Sequence, residues 1–111
     1  MKEVPKLSDF PVGKPNDAYA KYFIGQSWLA PLTTEQVPTY NVTFEPRCRN
    51  NWHIHHAQKG GEVFNIPPNV KHWHGAAKDS WFQHLSLEVP GEGTSNEWLE
   101  PVTDEVYDKL P

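Results

Sequence analysis

The sequence predicts an all-β fold of the sandwich or barrel kind, and three observations predict it. Eleven Pro and seven Gly cut the 111 residues into short runs, which disfavours long helices. Several of those runs alternate apolar and polar residues with the period of a half-buried strand. Five Trp, four Tyr and five Phe supply large rings that bury more area than the low apolar fraction of 37% suggests. The same rings argue against disorder, despite a mean hydropathy of −0.70. A chain of this length is read as one domain, residues 21–111, preceded by an arm, residues 1–20.

The arm is polar and punctuated by Pro5, Pro11 and Pro15, so it is expected to lie on the surface or on a partner. Tyr22 to Leu29 is aromatic and β-prone, with Gly25 placed to form a bulge. Pro31 to Pro38 is expected to be a loop. In Tyr40-Asn41-Val42-Thr43-Phe44-Glu45 the apolar set alternates with the polar set, and Pro46 ends the strand. Trp52 to His55 is the next strand, and Gln58-Lys59-Gly60-Gly61 a turn. Val63 to Ile66 is a short apolar strand closed by Pro67-Pro68-Asn69. Lys71 to Gly75 follows as a strand. Then comes Trp81 to Val89, where Phe82, His84, Ser86 and Glu88 face opposite to Gln83, Leu85, Leu87 and Val89. Pro90 to Ser95 is a Gly-rich loop. Thr103 to Leu110 reads as a terminal helix with Thr103 as N-cap and acids in its first turn.

Composition excludes several roles. The net charge is −4, so a basic nucleic-acid face is not expected. No apolar run approaches the roughly 20 residues of a membrane span. No apolar core follows the N-terminal lysines as in a signal peptide. The single cysteine, Cys48, has no internal partner for a disulfide, and a reducing cytoplasm is the expected compartment. No Gly-rich phosphate loop and no nucleophile motif of a serine or cysteine hydrolase occurs.

All six histidines fall between positions 53 and 84. In His53-Ile54-His55 two imidazoles share one strand face, about 6.5–7 Å apart at the backbone, close enough for one ion. His72-Trp73-His74 repeats the arrangement on a second strand. Neutral imidazole is the commonest metal ligand near pH 7, and two such pairs on neighbouring strands converge on one point. His56 points away from His55 if the strand continues. Arg47 and Arg49 flank Cys48 just before the first pair. An arginine aimed into the pocket would bind a carboxylate, whereas the ordinary role is a loop cation or a partner for an acid.

Residues 18 to 108 resemble the cupins, in particular the bacterial manganese-dependent hydroxynitrile lyases and the cupins associated with carboxymuconolactone decarboxylase-like proteins. The second cupin motif is Gly, five residues, Pro, one residue, Gly, two residues, His, three residues, Asn. Here Gly61, Pro67 and His72 match it, with Asn69 in place of the second Gly and Ala76 in place of Asn. Thr43-Phe44-Glu45-Pro46 leading to Trp52-His53-Ile54-His55, and Trp98-Leu99-Glu100-Pro101-Val102-Thr103-Asp104-Glu105, resemble the same subgroup. The resemblance implies a jelly-roll-like cupin barrel with a short C-terminal helix. It implies one divalent transition metal held by His53, His55 and His72, manganese first, with iron, zinc or nickel as alternatives. It places His74 and His84 in the pocket as catalytic histidines, one of them acting as base. It further implies a small-molecule substrate or ligand and a homodimer or larger assembly, with residues 1–28 at the interface.

Two departures bear on the chemistry. Arg47 stands at the first glycine of the first motif. Gly60-Gly61-Glu62 runs from the turn after that motif straight into the second, leaving the chain roughly 25 residues short of the cupin pattern. The usual Glu or Gln ligand that follows the first His pair is absent at its normal spacing. Glu62 is the expected fourth ligand, since a carboxylate suits Mn, Fe or Zn, and Gln58 is the other candidate. Three readings follow: a metal-dependent lyase or oxygenase, a cupin that binds a metal or ligand without turnover, or a shortened barrel that folds only by assembling.

Overall fold

The structure, a computed structural model, describes residues 3–56, 61–62, 69–89 and 95–110, and for 55, 56, 61, 62, 88 and 89 it describes the backbone alone. The strands are β1 (Lys14–Pro15), β2 (Phe23–Ile24), β3 (Ser27–Thr33), β4 (Thr39–Phe44), β5 (Arg49–Asn50), β6 (His53–His56), β7 (Gly61–Glu62), β8 (Phe82–Val89) and β9 (Ser95–Trp98). A 3-10 helix spans Asp17–Tyr22, and a single-turn helix, α1, spans Asp104–Tyr107. Five strands form an antiparallel sheet in the order β1-β3-β4-β8-β7, and β2–β5 and β6–β9 form two small antiparallel pairs. This mostly β architecture is the predicted class. The turn at 58–60, the strand at 63–66, Pro67-Pro68 and the loop at 90–94 lie outside the described residues.

The register of β4 on β8 decides what faces inward. Val42 opposes His84 and Phe44 opposes Phe82. Directly opposed residues share a face. Val42 and Phe44 are buried with Cys48 and Ala76, and Phe23, Leu29 and Tyr40 pack against them. The other face carries Asn41, Thr43 and Gln83. The alternation predicts that these polar residues meet water, yet Asn41 is 1% exposed and Thr43 0%. The arm covers them. Asn41 Nδ2 donates to the Pro11 carbonyl at 2.8 Å, the Ser8 hydroxyl bonds the Gln83 amide oxygen, and Gln83 Nε2 donates to Thr43 Oγ1 at 2.8 Å. Farther on, Asn16 donates to Ser27 through both backbone and side chain. Each polar group buried here is satisfied, so burial carries little penalty.

Two element boundaries differ from expectation. The predicted Tyr22–Leu29 strand is interrupted at Gly25, whose φ of +90° is open to glycine and strained for other residues. β3 also runs past Pro31, which was expected to open a loop. β1 extends only as far as Leu29, so among the described residues no strand on that side requires the missing Pro31 N–H, and the register shifts between Pro31 and Thr33.

The two motif glycines that this chain replaces keep their backbone. Arg47 has φ +69° and Asn69 φ +67°. Asn is among the few residues that enter this left-handed region readily. Asn69→Gly is therefore expected to change stability by no more than about 0.5 kcal/mol, and Asn69→Val to cost about 1–2 kcal/mol. Urea midpoints for the pair provide the check.

At the C-terminus Thr103 caps α1 as predicted, its hydroxyl accepting from Val106 N at 3.3 Å. Arg49 is 1% exposed. Its Nε and Nη2 donate to the Val102 carbonyl at 3.0 and 2.8 Å, and Nη2 also pairs with Asp104 at 2.7 Å. The Arg49 and Arg47 guanidinium carbons lie 4.6 and 4.9 Å from the Tyr107 ring centroid. Arg47 pairs with Asp108 at 3.1 Å and holds that carboxyl below its ordinary range, with Lys78 adding to the effect. Of the two roles open to these arginines, pairing with acids is the observed one.

Tyr107 is buried, and its hydroxyl donates to the Ala76 carbonyl. Burial pushes its pKa up, against the pull of Arg47 and Arg49. A raised value in the folded chain favours the neutral phenol. The stability it adds is full below the unfolded value near 10 and is lost as pH rises through the folded value. Tyr107→Phe is expected to cost about 1 kcal/mol at pH 7 and to flatten the loss of stability in alkali. Thermal melts between about pH 8 and 11 read both effects.

Candidate metal centre

β6 carries the first histidine pair and is held by β9, with His53 opposite Trp98 and His55 opposite Asn96. The second pair arrives on residues 71–75. This stretch was expected to be a strand, but it makes only two isolated bridges, His53 to His72 and Arg49 to Gly75. At the first bridge the two residues exchange both backbone hydrogen bonds at 2.9 Å, which brings their ring centroids to 4.2 Å. His74 completes the group, its ring 5.1 Å from His72 and 5.7 Å from His53. One ring nitrogen from each of His53, His72 and His74 lies within 4.8 Å of the others. Nitrogens about 2.0–2.1 Å from a common ion stand about 3–4 Å apart, so small ring movements close this group on one ion.

Backbone geometry selects the ligand form of two rings. His53 Nδ1 lies 2.9 Å from the Asn51 carbonyl and His72 Nδ1 2.9 Å from the Val70 carbonyl. A carbonyl only accepts, so Nδ1 is the protonated nitrogen in each and Nε2 carries the lone pair. This is the outer-shell arrangement that orients metal-binding imidazoles. His53 is 3% exposed, whereas His72 and His74 are half-buried. Gly75, just beyond, has no room for a side chain: a Cβ there would stand 2.8 Å from Arg49 Cβ and 2.9 Å from the Trp73 ring.

Aromatic rings wall the group. The His84 ring lies 5.5 Å from His74 and stacks on Phe82 at 5.3 Å, with Phe44 at 5.7 Å. On the other side Trp98 lies 4.8 Å from His53, and Tyr22 stacks on Trp98 at 4.5 Å with an interplanar angle of 8°. Beyond these, Lys71 pairs with Glu100 and lowers that carboxyl's pKa through the hydrogen bond between them.

The structure thus brings together His53, His72, His74 and His84 from the six residues singled out in the sequence. His74, expected from the resemblance to be catalytic, falls within the three-ring group with His53 and His72. The side chains of His55 and Glu62, like Gln58, lie outside the described residues. Their backbones place His55 opposite Asn96 on β9 and Glu62 opposite Glu88 on β8. Sequence reasoning missed Trp98 and Tyr22 as walls of the site. Ser95-Asn96-Glu97 carries no strand signal, so the partner that sets Trp98 beside His53 had no local cue. No helix among the described residues is long and apolar enough to cross a membrane.

No family model matches the chain. The chain is 32% identical over 114 residues to an (R)-mandelonitrile lyase from Granulicella tundricola, with 79% of this chain and 87% of the relative covered. Because 79% of 111 residues is about 88, an alignment of 114 positions includes about 26 where the relative has a residue and this chain has none. In structure it is similar to a crystallised cupin-like protein from Thermotoga maritima, with a TM-score of 0.74 and 29% identity over 92% of this chain and 96% of that one. Sequence identity to the lyase over most of its length and backbone likeness to the cupin-like protein agree, and the chain belongs to the cupin superfamily.

Proposed function

We propose that this cupin binds one divalent transition metal and acts as a lyase on a small α-hydroxynitrile. The observation that carries the reading is the grouping of His53, His72 and His74 with His84 alongside. The donor set fits the ion: three imidazoles leave coordination positions for solvent or substrate, as an open catalytic site requires. Imidazole suits Zn, Fe and Ni, and a carboxylate from Glu62 would extend the choice to Mn, the metal the resemblance favours. His55, on the strand with His53, is part of the proposed ligand set. The relative's name, a mandelonitrile lyase, points to the same class of substrate.

A bound ion would supply Lewis-acid polarisation of the substrate hydroxyl. The remaining steps belong to the chain. His84 lies beside His74 and takes the hydroxyl proton. The carbonyl forms as the carbon–carbon bond to the nitrile breaks, and the electron pair leaves with cyanide. Protonated His84 returns the proton to cyanide, which restores the base. Phe44 and Phe82 pack against the ring of His84 and fix its orientation.

Metal-loaded protein mixed with (R)-mandelonitrile should release benzaldehyde, followed by its ultraviolet absorbance. His84→Ala should keep the metal and lose turnover by about 10²-fold or more. Metal binding without benzaldehyde release would favour a binding role. Assembly as a homodimer in a reducing cytoplasm completes the proposal. Light scattering should give twice the 12.7 kDa chain mass, and a stable monomer would refute the dimer.

A further inference from the structure

The segment that delivers His72 and His74 is held to β5–β6 by a mismatched pairing. Its two bridges join Arg49 to Gly75 and His53 to His72. Between them three residues, Asn50, Asn51 and Trp52, face only two, Trp73 and His74. One side therefore carries a surplus residue, the defining feature of a β-bulge. The surplus is bonded elsewhere. Asn51 N donates to the Tyr22 carbonyl at 2.6 Å, and Trp52 N donates to the Glu100 carbonyl at 3.0 Å.

Asn50 takes up the slack. Its backbone N donates to the His74 carbonyl at 3.0 Å. Its side-chain Oδ1 accepts from the His74 backbone N at 2.8 Å. The amide of His74 is thus met by a side chain where a regular ladder would offer a carbonyl. Asn50 is 6% exposed, so the bond is made away from water, and removing the acceptor leaves a poorly hydrated donor. Asn also has the right reach: its carbonyl stands where a peptide carbonyl would stand one residue on, a mimicry that underlies Asx turns.

We infer that Asn50 is a positioning residue for the metal centre, its side-chain carbonyl fixing the register in which His72 and His74 meet His53. The inference rests on the proposed metal site. Without the Asn50 acceptor the 71–75 stretch keeps its two bridges and the bond from Asn50 N to the His74 carbonyl, but loses the second of the two bonds that hold the His74 backbone. His74 then swings on its backbone and the three nitrogens spread. Bulges beside functional sites commonly re-aim a side chain in this way, and here the re-aimed side chain is an imidazole.

The test uses the full chain with Zn or Co alone as probe, and three variants. Asn50→Ala and Asn50→Leu remove the acceptor, and Asn50→Asp keeps an oxygen at the same reach. Titration is expected to show affinity lowered about 10–100-fold in Ala and Leu, the range for lost outer-shell partners. The Asp variant should return to within about threefold of wild type or exceed it, since only the acceptor is required. Amide exchange of the metal-free protein gives a second readout: the His74 amide should exchange at least about tenfold faster in Ala and Leu than in wild type or Asp, with β4 and β8 amides unchanged. Equal affinity and equal His74 exchange in wild type and Ala would overturn the inference. If wild type binds no metal, the proposed function fails, and the exchange experiment still decides whether Asn50 sets the His74 backbone.

Discussion

Replacing His53 and His72 together with Ala is expected to reduce bound metal from about one equivalent per chain to less than a tenth, read by elemental analysis after dialysis against Zn or Mn. The two residues form the tightest pair in the group, with ring centroids 4.2 Å apart and each Nδ1 committed to a carbonyl. Loss of an outer-shell partner alone costs about 10–100-fold in affinity, so loss of two direct ligands should exceed about 10³-fold. The single His74→Ala variant is expected to fall between the double variant and wild type, because the 4.8 Å group loses one of three donors. Full metal content in the double variant would place the site elsewhere. Acid should act on wild type in the same direction. Coordinating imidazoles must be neutral, so metal is expected to be released in acid.

Arg49→Met is expected to be the most destabilising single change at a residue outside the metal centre. Met preserves most of the buried volume and removes the donors. The Val102 carbonyl loses both of its guanidinium bonds, at 3.0 and 2.8 Å, and Val102 is itself fully buried. Asp104 loses this partner but keeps Arg47 at 4.0 Å and lies 75% exposed, so water takes over there. An unsatisfied buried acceptor plus the lost contact with Tyr107 costs about 2–4 kcal/mol. For a domain of this size that lowers Tm by about 10 °C or more, measured by circular dichroism. Asp104→Asn tests the apportioning. It removes only the exposed half of the network, and its melting point should stay close to wild type. Equal losses in the two variants would mean that the ion pair, not the carbonyl bonds, carries the stability.

What was legible in the sequence is what local chemistry writes there. The two His-x-His pairs pointed to a metal-compatible group, and His53, His72 and His74 form one, although residues 71–75 reach it through isolated bridges and not as a strand. The alternation from Tyr40 to Phe44 gave the inner face of β4 correctly, and Thr103 gave the cap of α1. What could not be read was set by distant partners. Asn41 and Thr43 are polar and look exposed; only the arm, some 30 residues earlier in the case of Asn41 and Pro11, buries and satisfies them. Arg47 and Asn69 looked like lost glycines, yet both keep the left-handed backbone, a property of φ that residue identity hides. The surplus residue between Arg49 and His53 has no sequence signature at all, because a bulge exists only relative to the strand it faces.

The pairing of His53 with Trp98 also has a bearing on biosynthesis. The two residues are 45 positions apart, and chain growth at about 5–20 residues per second separates their appearance by about 2–9 s. During that interval β6 has no β9, Trp98 does not yet back His53, and Arg49 has neither the Val102 carbonyl nor Asp104. The histidines of a nascent chain therefore lack the strand that later backs them, and a metal met at that stage would be ranked by its affinity for imidazole nitrogen and its abundance. If the chain binds a metal as proposed, choice of ion by the geometry of the site begins only once β9 has paired with β6.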